Sequence, residues 1–111
     1  MIKLVLLKSG EEVITDIEEM VVNEKVVGYF FNKPCSAKLF EDIEEDEPQY
    51  SIKLTPWIPL SSDDKIPVVT DWVISIMNPI DKLKEMYEKG VKKNGTKTDT
   101  SDESTNLGLT D

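Results

Sequence analysis

Between Leu4 and Ile17 the chain reads LVLLKSGEEVITDI: an apolar run stops for a short polar segment containing Gly10 and resumes at once in alternation. A tight β-hairpin requires that pattern, because two strands joined by so short a break must return antiparallel. The turn is Lys8-Ser9-Gly10-Glu11. Ile2, Leu4 and Leu6 lie on one face of the first strand, with Lys3 and Val5 on the other. In the second strand Val13, Thr15 and Ile17 alternate with Ile14, Asp16 and Glu18, and Ile14 makes the alternation imperfect.

The same punctuation continues. Asn23-Glu24-Lys25 is the next polar break, and Val26 to Phe31 is rich in β-branched and aromatic residues, as a third strand would be. Pro34 predicts that this strand bends or reaches a sheet edge before running on through Ala37, Leu39 and Phe40. The run EDIEEDEP crowds six carboxylates around Ile43, which favours an exposed loop. Tyr50, Ile52 and Leu54 alternate with Ser51, Lys53 and Thr55 in a fourth strand. Pro56, Pro59 and Pro67 mark irregular chain around Trp57. Val68 to Met77 returns to strand, with Trp72, Ile74 and Ile76 on one face. At Asn78-Pro79 the period changes to helical: Ile80, Leu83 and Tyr87 form a stripe, and a short helix is expected to run to about Lys89 and stop at Gly90. The expectation is one domain over residues 1–91 and a disordered acidic tail over 92–111.

Charge and chemistry narrow the function. The formal net charge is −9, and the tail from Lys92 holds three Lys against four carboxylates, so residues 1–91 carry −8. An acidic domain repels phosphate backbones overall, which lowers the expectation of strong non-specific nucleic-acid binding. There is no histidine, which removes the commonest general base and metal ligand. Cys35 is the only cysteine, so no intrachain disulfide and no Cys–His nucleophile can form, and it reads as a structural thiol. No phosphate-binding glycine motif occurs. A non-enzymatic protein without a cofactor or metal is expected. The acidic run lacks the spacing and glycine of a calcium loop. Trp57 reads as a packing residue over one end of a small barrel, or as a platform for a base or a proline-rich peptide. The apolar run after Lys3 is too short for a signal-peptide core or a bilayer span, so a cytosolic location is expected.

Leu7-Lys8-Ser9-Gly10, followed by Val13 and Ile17, resembles the first motif of the Sm and Sm-like RNA-binding proteins, and Val68-Val69-Thr70-Asp71-Trp72-Val73-Ile74-Ser75-Ile76 is similar in pattern to the second. The likeness spans residues 2–77. KSGEEVITDIEEM, GYFFNKPC, PWIPLS and DWVISIMNPIDKLKEMY look more particularly like the Sm-like proteins attributed to marine cyanophages. The resemblance implies a mainly β fold: a small, five-stranded, strongly bent antiparallel barrel, here with one short C-terminal helix. It also implies a homo-oligomeric ring in which the fourth strand of one subunit pairs with the fifth of the next, involving Tyr50, Ile52 and Leu54 on one side and Trp72, Ile74 and Ile76 on the other. The loops that face the pore in such rings correspond to Asn23, Thr70 and Asp71, the residues implied for RNA. The chain departs from the family at five points: Thr15 stands for the glycine of strand two, Val69-Thr70 for an Arg-Gly pair, the base-binding loop has only Asn23 as a counterpart, the helix is C-terminal and not N-terminal, and the segment from Pro59 to Val68 is longer than the family's turn. The implied function is RNA binding or handling in the host-cell cytoplasm. The rival expectation is an acidic ring or adaptor that docks a phage or host protein, with no membrane partner, through Trp57 and the tail.

Overall fold

The computed structural model describes residues 1–42 and 49–94. Residues 43–48 and 95–111 lie outside it, and with them the expectations of an exposed acidic loop beyond Asp42 and of a disordered tail beyond Asn94; Glu41 and Asp42, expected in that loop, are in a strand, and residues 92–94, expected in that tail, are helical. The chain forms β1 (Ile2–Leu7), β2 (Glu12–Val22), β3 (Lys25–Asp42), β4 (Gln49–Pro56), β5 (Lys65–Val69), a single 3₁₀ turn (Thr70–Trp72), β6 (Val73–Met77) and α1 (Asp81–Asn94). The fold is mainly β, with one antiparallel sheet of six strands in the order β4-β3-β2-β1-β6, and β5 lies beside β3. This corrects the expected five-stranded barrel twice. The described strands form an open sheet with β4 and β6 outermost, and the expected fifth strand, Val68 to Met77, is broken by the 3₁₀ turn into β5 and β6, while the fourth, Tyr50 to Thr55, stands whole within β4.

The opening polar break is the expected turn. Gly10 donates its N–H to the Leu7 carbonyl at 2.9 Å, Leu7 donates to the Glu11 carbonyl at 3.0 Å, and Gly10 takes a φ of 89°. That is the left-handed region in which a glycine closes a three-residue hairpin loop. The second hairpin turns on Asn23 and Glu24, both at positive φ (52° and 65°), between the paired Val22 and Lys25. Positive φ at both central residues gives the primed turn that matches the twist of the flanking strands.

The strong bend lies in β3. Ile14 pairs with Cys35 and Asp16 with Asn32, so Thr15 faces two residues, Lys33 and Pro34, with Lys33 at a φ of 47°. An extra residue of this kind kinks its strand and leaves backbone groups without ladder partners. On either side of the kink, β3 pairs with β5 over Gly28–Asn32 and with β4 over Cys35–Asp42. β4 and β5 thus lie end to end along one edge of β3. Residues 57–64 leave the edge where Trp57 donates to the Pro34 carbonyl (3.0 Å) and rejoin it where Lys33 donates to the Asp64 carbonyl (2.6 Å). Gly28 permits the close approach of β5: a Cβ there would meet the Val68 carbonyl oxygen at 2.8 Å.

The sheet is buried on both faces near its middle. Val5, Leu7, Val13, Phe31 and Val68 form one core, with Ile17, Tyr29, Trp57 and Val73 packed around it. Ile14, Ile52 and Leu54 form the other with Leu83, Met86 and Tyr87 of α1, flanked by Ile2, Leu4, Cys35, Ala37 and Val91. Consecutive Val13 and Ile14 serve opposite cores, which is why β2 cannot alternate cleanly there. α1 differs from expectation at both ends. Lys84 donates to the Ile80 carbonyl (3.1 Å), so the helix begins after Ile80, and it passes through Gly90 to Asn94. Ile80 is exposed, and Leu83, Met86 and Tyr87 are the buried stripe.

Candidate functional site

The β3 kink is closed by Tyr87. Its hydroxyl lies 2.9 Å from the Asn32 carbonyl and 3.1 Å from that of Lys33, donating to one at a time, and it accepts the Asp16 N–H at 3.3 Å. Thr15, fully buried, donates from Oγ1 to the Asn32 carbonyl at 2.9 Å. Burial pushes the Tyr87 phenol well above its ordinary value, outweighing the opposing hydrogen bond from Asp16. These groups answer needs of the backbone, so their role is structural. Around them opens a groove of about 420 Å³ lined by Asp16, Glu18, Asn32, Lys33, Asp64 and Glu88 among others. Asp16 holds the N-terminal ammonium and Glu18 pairs with Lys65 at 3.1 Å, so two of its carboxylates already meet cations of the chain itself.

Of the residues implied for RNA, Asn23 is at the tip of the β2–β3 hairpin, where its positive φ gives it a backbone role that asparagine fills well. Thr70 and Asp71 lie in the 3₁₀ turn that follows β5. Because Val69 pairs with Gly28, that turn begins alongside the base of the same hairpin. Its other end meets the first hairpin turn, where Lys8 donates to the Trp72 carbonyl at 2.9 Å, so Thr70 and Asp71 lie near the base of the β2–β3 hairpin and Asn23 lies apart from them at its tip. Glu24 and Lys25 beside Asn23 are exposed, as is Asp71 in the 3₁₀ turn. All thirteen basic residues of the chain are lysine, so no arginine fork is available for phosphate.

The residues implied for assembly divide by strand. On β4, Ile52 and Leu54 are buried against α1 and Tyr50 is half-buried, so the outer backbone edge of β4 is what faces outward. On the other side Ile74 (58% exposed), Ile76 and Trp72 stand open. Trp72 belongs to the 3₁₀ turn, and the β1–β6 register shifts between Leu6, opposite Ser75, and Leu7, opposite Val73, which leaves Ile74 unmatched. Trp57 is partly buried on Phe31, with ring centroids 5.8 Å apart, and its indole N–H donates to Glu11 Oε2 at 3.2 Å. It is a packing residue of the core.

Four exposed valines had no signal in a residue-by-residue search for chemistry. Val21, Val22, Val26 and Val27 occupy the outer part of the β2–β3 hairpin, beyond both β1 and β5. Their sequence, MVVNEKVV, reads as two ordinary strand ends, and only the register reveals that neither end is covered. Among the described residues no group of His, Cys, Asp and Glu is placed to hold a metal ion, and no helix is long and apolar enough to cross a membrane. In searches against known proteins, no family model matches the chain and no curated protein matches it.

Proposed function

We propose that this chain is an Sm-like protein of the cyanophage type that assembles with copies of itself into a ring and binds RNA through Asn23, Thr70 and Asp71. The observation that supports the reading most is the strand order. β4 and β6 are the two outermost strands of one sheet, and β6, Val-Ile-Ser-Ile-Met, is uncharged and exposes Ile74, Ile76 and Met77. A free apolar edge at one end and a free edge at the other let each copy continue the sheet of the next, a head-to-tail contact that closes when the rotation per subunit allows. In that assembly β4 contributes its backbone and β6 its backbone together with the Trp72, Ile74 and Ile76 side chains. The folded protein works in the host cytoplasm and needs no cofactor.

The test is light scattering coupled to size exclusion, with and without short homopolymer RNAs. A discrete oligomer that gains mass with one RNA is expected, and Ile74→Lys is expected to reduce it to monomer, because an exposed position there tolerates the charge while the interface does not. A monomeric wild-type chain would end the ring reading. Asn23→Ala should weaken RNA binding, and an unchanged affinity would remove that residue from the site.

A second reading, an acidic adaptor that docks a phage or host protein, is favoured by one specific observation: the residues assigned to RNA include the exposed carboxylate of Asp71, and Asn23 is followed by the exposed carboxylate of Glu24, both of which repel phosphate. An oligomer that ignores every RNA supports it. RNA binding that weakens steeply with salt argues against it.

A further inference from the structure

We infer that the outer edge of β2, from Glu18 to Val22, is a strand-addition site for an extended, basic and aliphatic segment of another protein. β1 covers β2 only as far as Asp16, and the last contact on that side is the Ile17 N–H donated to the Met1 carbonyl at 2.9 Å. Beyond it no described strand lies on that side. Since backbone groups alternate in direction along a strand, the N–H and C=O of Glu19 and Val21 point the same way as those of Ile17, with no ladder partner. An added strand would satisfy them.

Two further features fix the chemistry of the occupant. Val21, Val22, Val26 and Val27 are all exposed, which gives the edge apolar side-chain contacts next to its hydrogen-bonding groups. This edge also carries Glu18 and Glu19 and no cation; Glu18 meets Lys65, and Glu19 is exposed and without an ion pair among the described residues. A segment alternating Lys with Val or Ile complements both features. Another copy of this chain brings the same −8 on its residues 1–91, and a nucleic acid brings phosphates, so both are disfavoured beside Glu19. The β6 edge differs in kind, being apolar and uncharged, and suits a like partner. The two edges are thus chemically distinct, and the β2 site depends on neither ring formation nor RNA.

The experiment is amide hydrogen exchange on the full chain with three probes: a nine-residue peptide alternating Lys and Val, its Glu-and-Val counterpart, and a short oligouridine. The Lys/Val peptide is expected to slow exchange at Glu19 and Val21, with an affinity that falls as salt rises. Glu19→Lys, at an exposed position, should lower that affinity by about five- to tenfold and raise that of the Glu/Val peptide. Val21→Ser with Val22→Ser should weaken binding while leaving the oligomeric state unchanged. Equal binding of both peptides, protection at β6 in place of β2, protection of Glu19 and Val21 by oligouridine, or no protection at all would each overturn the assignment. Light scattering reports the ring separately, so failure of one does not imply failure of the other.

Discussion

At the scale of single residues, Tyr87 does the most for its size. Its polar atom reaches from α1 through the apolar interface to the kinked backbone of β3. Tyr87→Phe removes a partner from Asp16 N–H and from one carbonyl, and is expected to cost about 1–3 kcal/mol, read from the denaturant midpoint. Burial also gives this phenol a pH signature. The unfolded chain ionises at the ordinary value of 10.0 while the folded chain retains the proton, so the stability conferred is intact below pH 10 and is lost as pH rises beyond it. Comparing stability against pH for wild type and Tyr87→Phe isolates the effect: the wild type should decline more steeply above pH 10. Glu24 is the opposite case. Held at a φ of 65° without the freedom of glycine, it is a poor occupant of its turn, and Glu24→Gly should raise stability by about 1 kcal/mol in thermal or chemical unfolding. Neither role was legible in the sequence. Tyr87 reads there only as one apolar position in a stripe, and Asn23-Glu24 only as a polar break, because the pairing register that gives each its work is set by distant chain.

At the scale of elements, local signals were read well where one face alone is buried. Lys8-Ser9-Gly10-Glu11 is a turn for the stated reason, and Pro34 does sit at a bend in β3. Legibility failed where two elements compete for one stretch. The expected fifth strand is interrupted because its first part, β5, pairs with β3 and its second part, β6, pairs with β1, and α1 runs past Gly90 because the docking of Leu83, Met86, Tyr87 and Val91 outweighs the cost of a glycine in a helix, about 1 kcal/mol. The bend itself tests how this chain departs from the pattern it resembles. If curvature came from strand two, as the glycine expected at position 15 would imply, Thr15→Gly would be harmless. With curvature arising in β3, that substitution loses the hydroxyl bond to Asn32 and adds unfolded-state entropy, and should destabilise by about 1–3 kcal/mol.

At the scale of the whole molecule, the described residues bury two small cores on opposite faces of one sheet and leave Ile74, Ile76, Leu39, Phe40 and the hairpin valines exposed. Folding linked to association makes the unfolding midpoint depend on protein concentration. A thermal midpoint that climbs across a dilution series is the outcome expected of the ring, and a constant midpoint is that of a self-sufficient monomer. The segment 57–64 offers a different consequence. It departs and returns at adjacent residues, Pro34 and Lys33, and Trp57 anchors its first position in the core, while Leu60 beyond is wholly exposed. Such a loop is a natural cassette. Replacing residues 58–64 with unrelated sequence of similar length should leave the unfolding midpoint nearly unchanged, which would make the protein a carrier for displayed peptides.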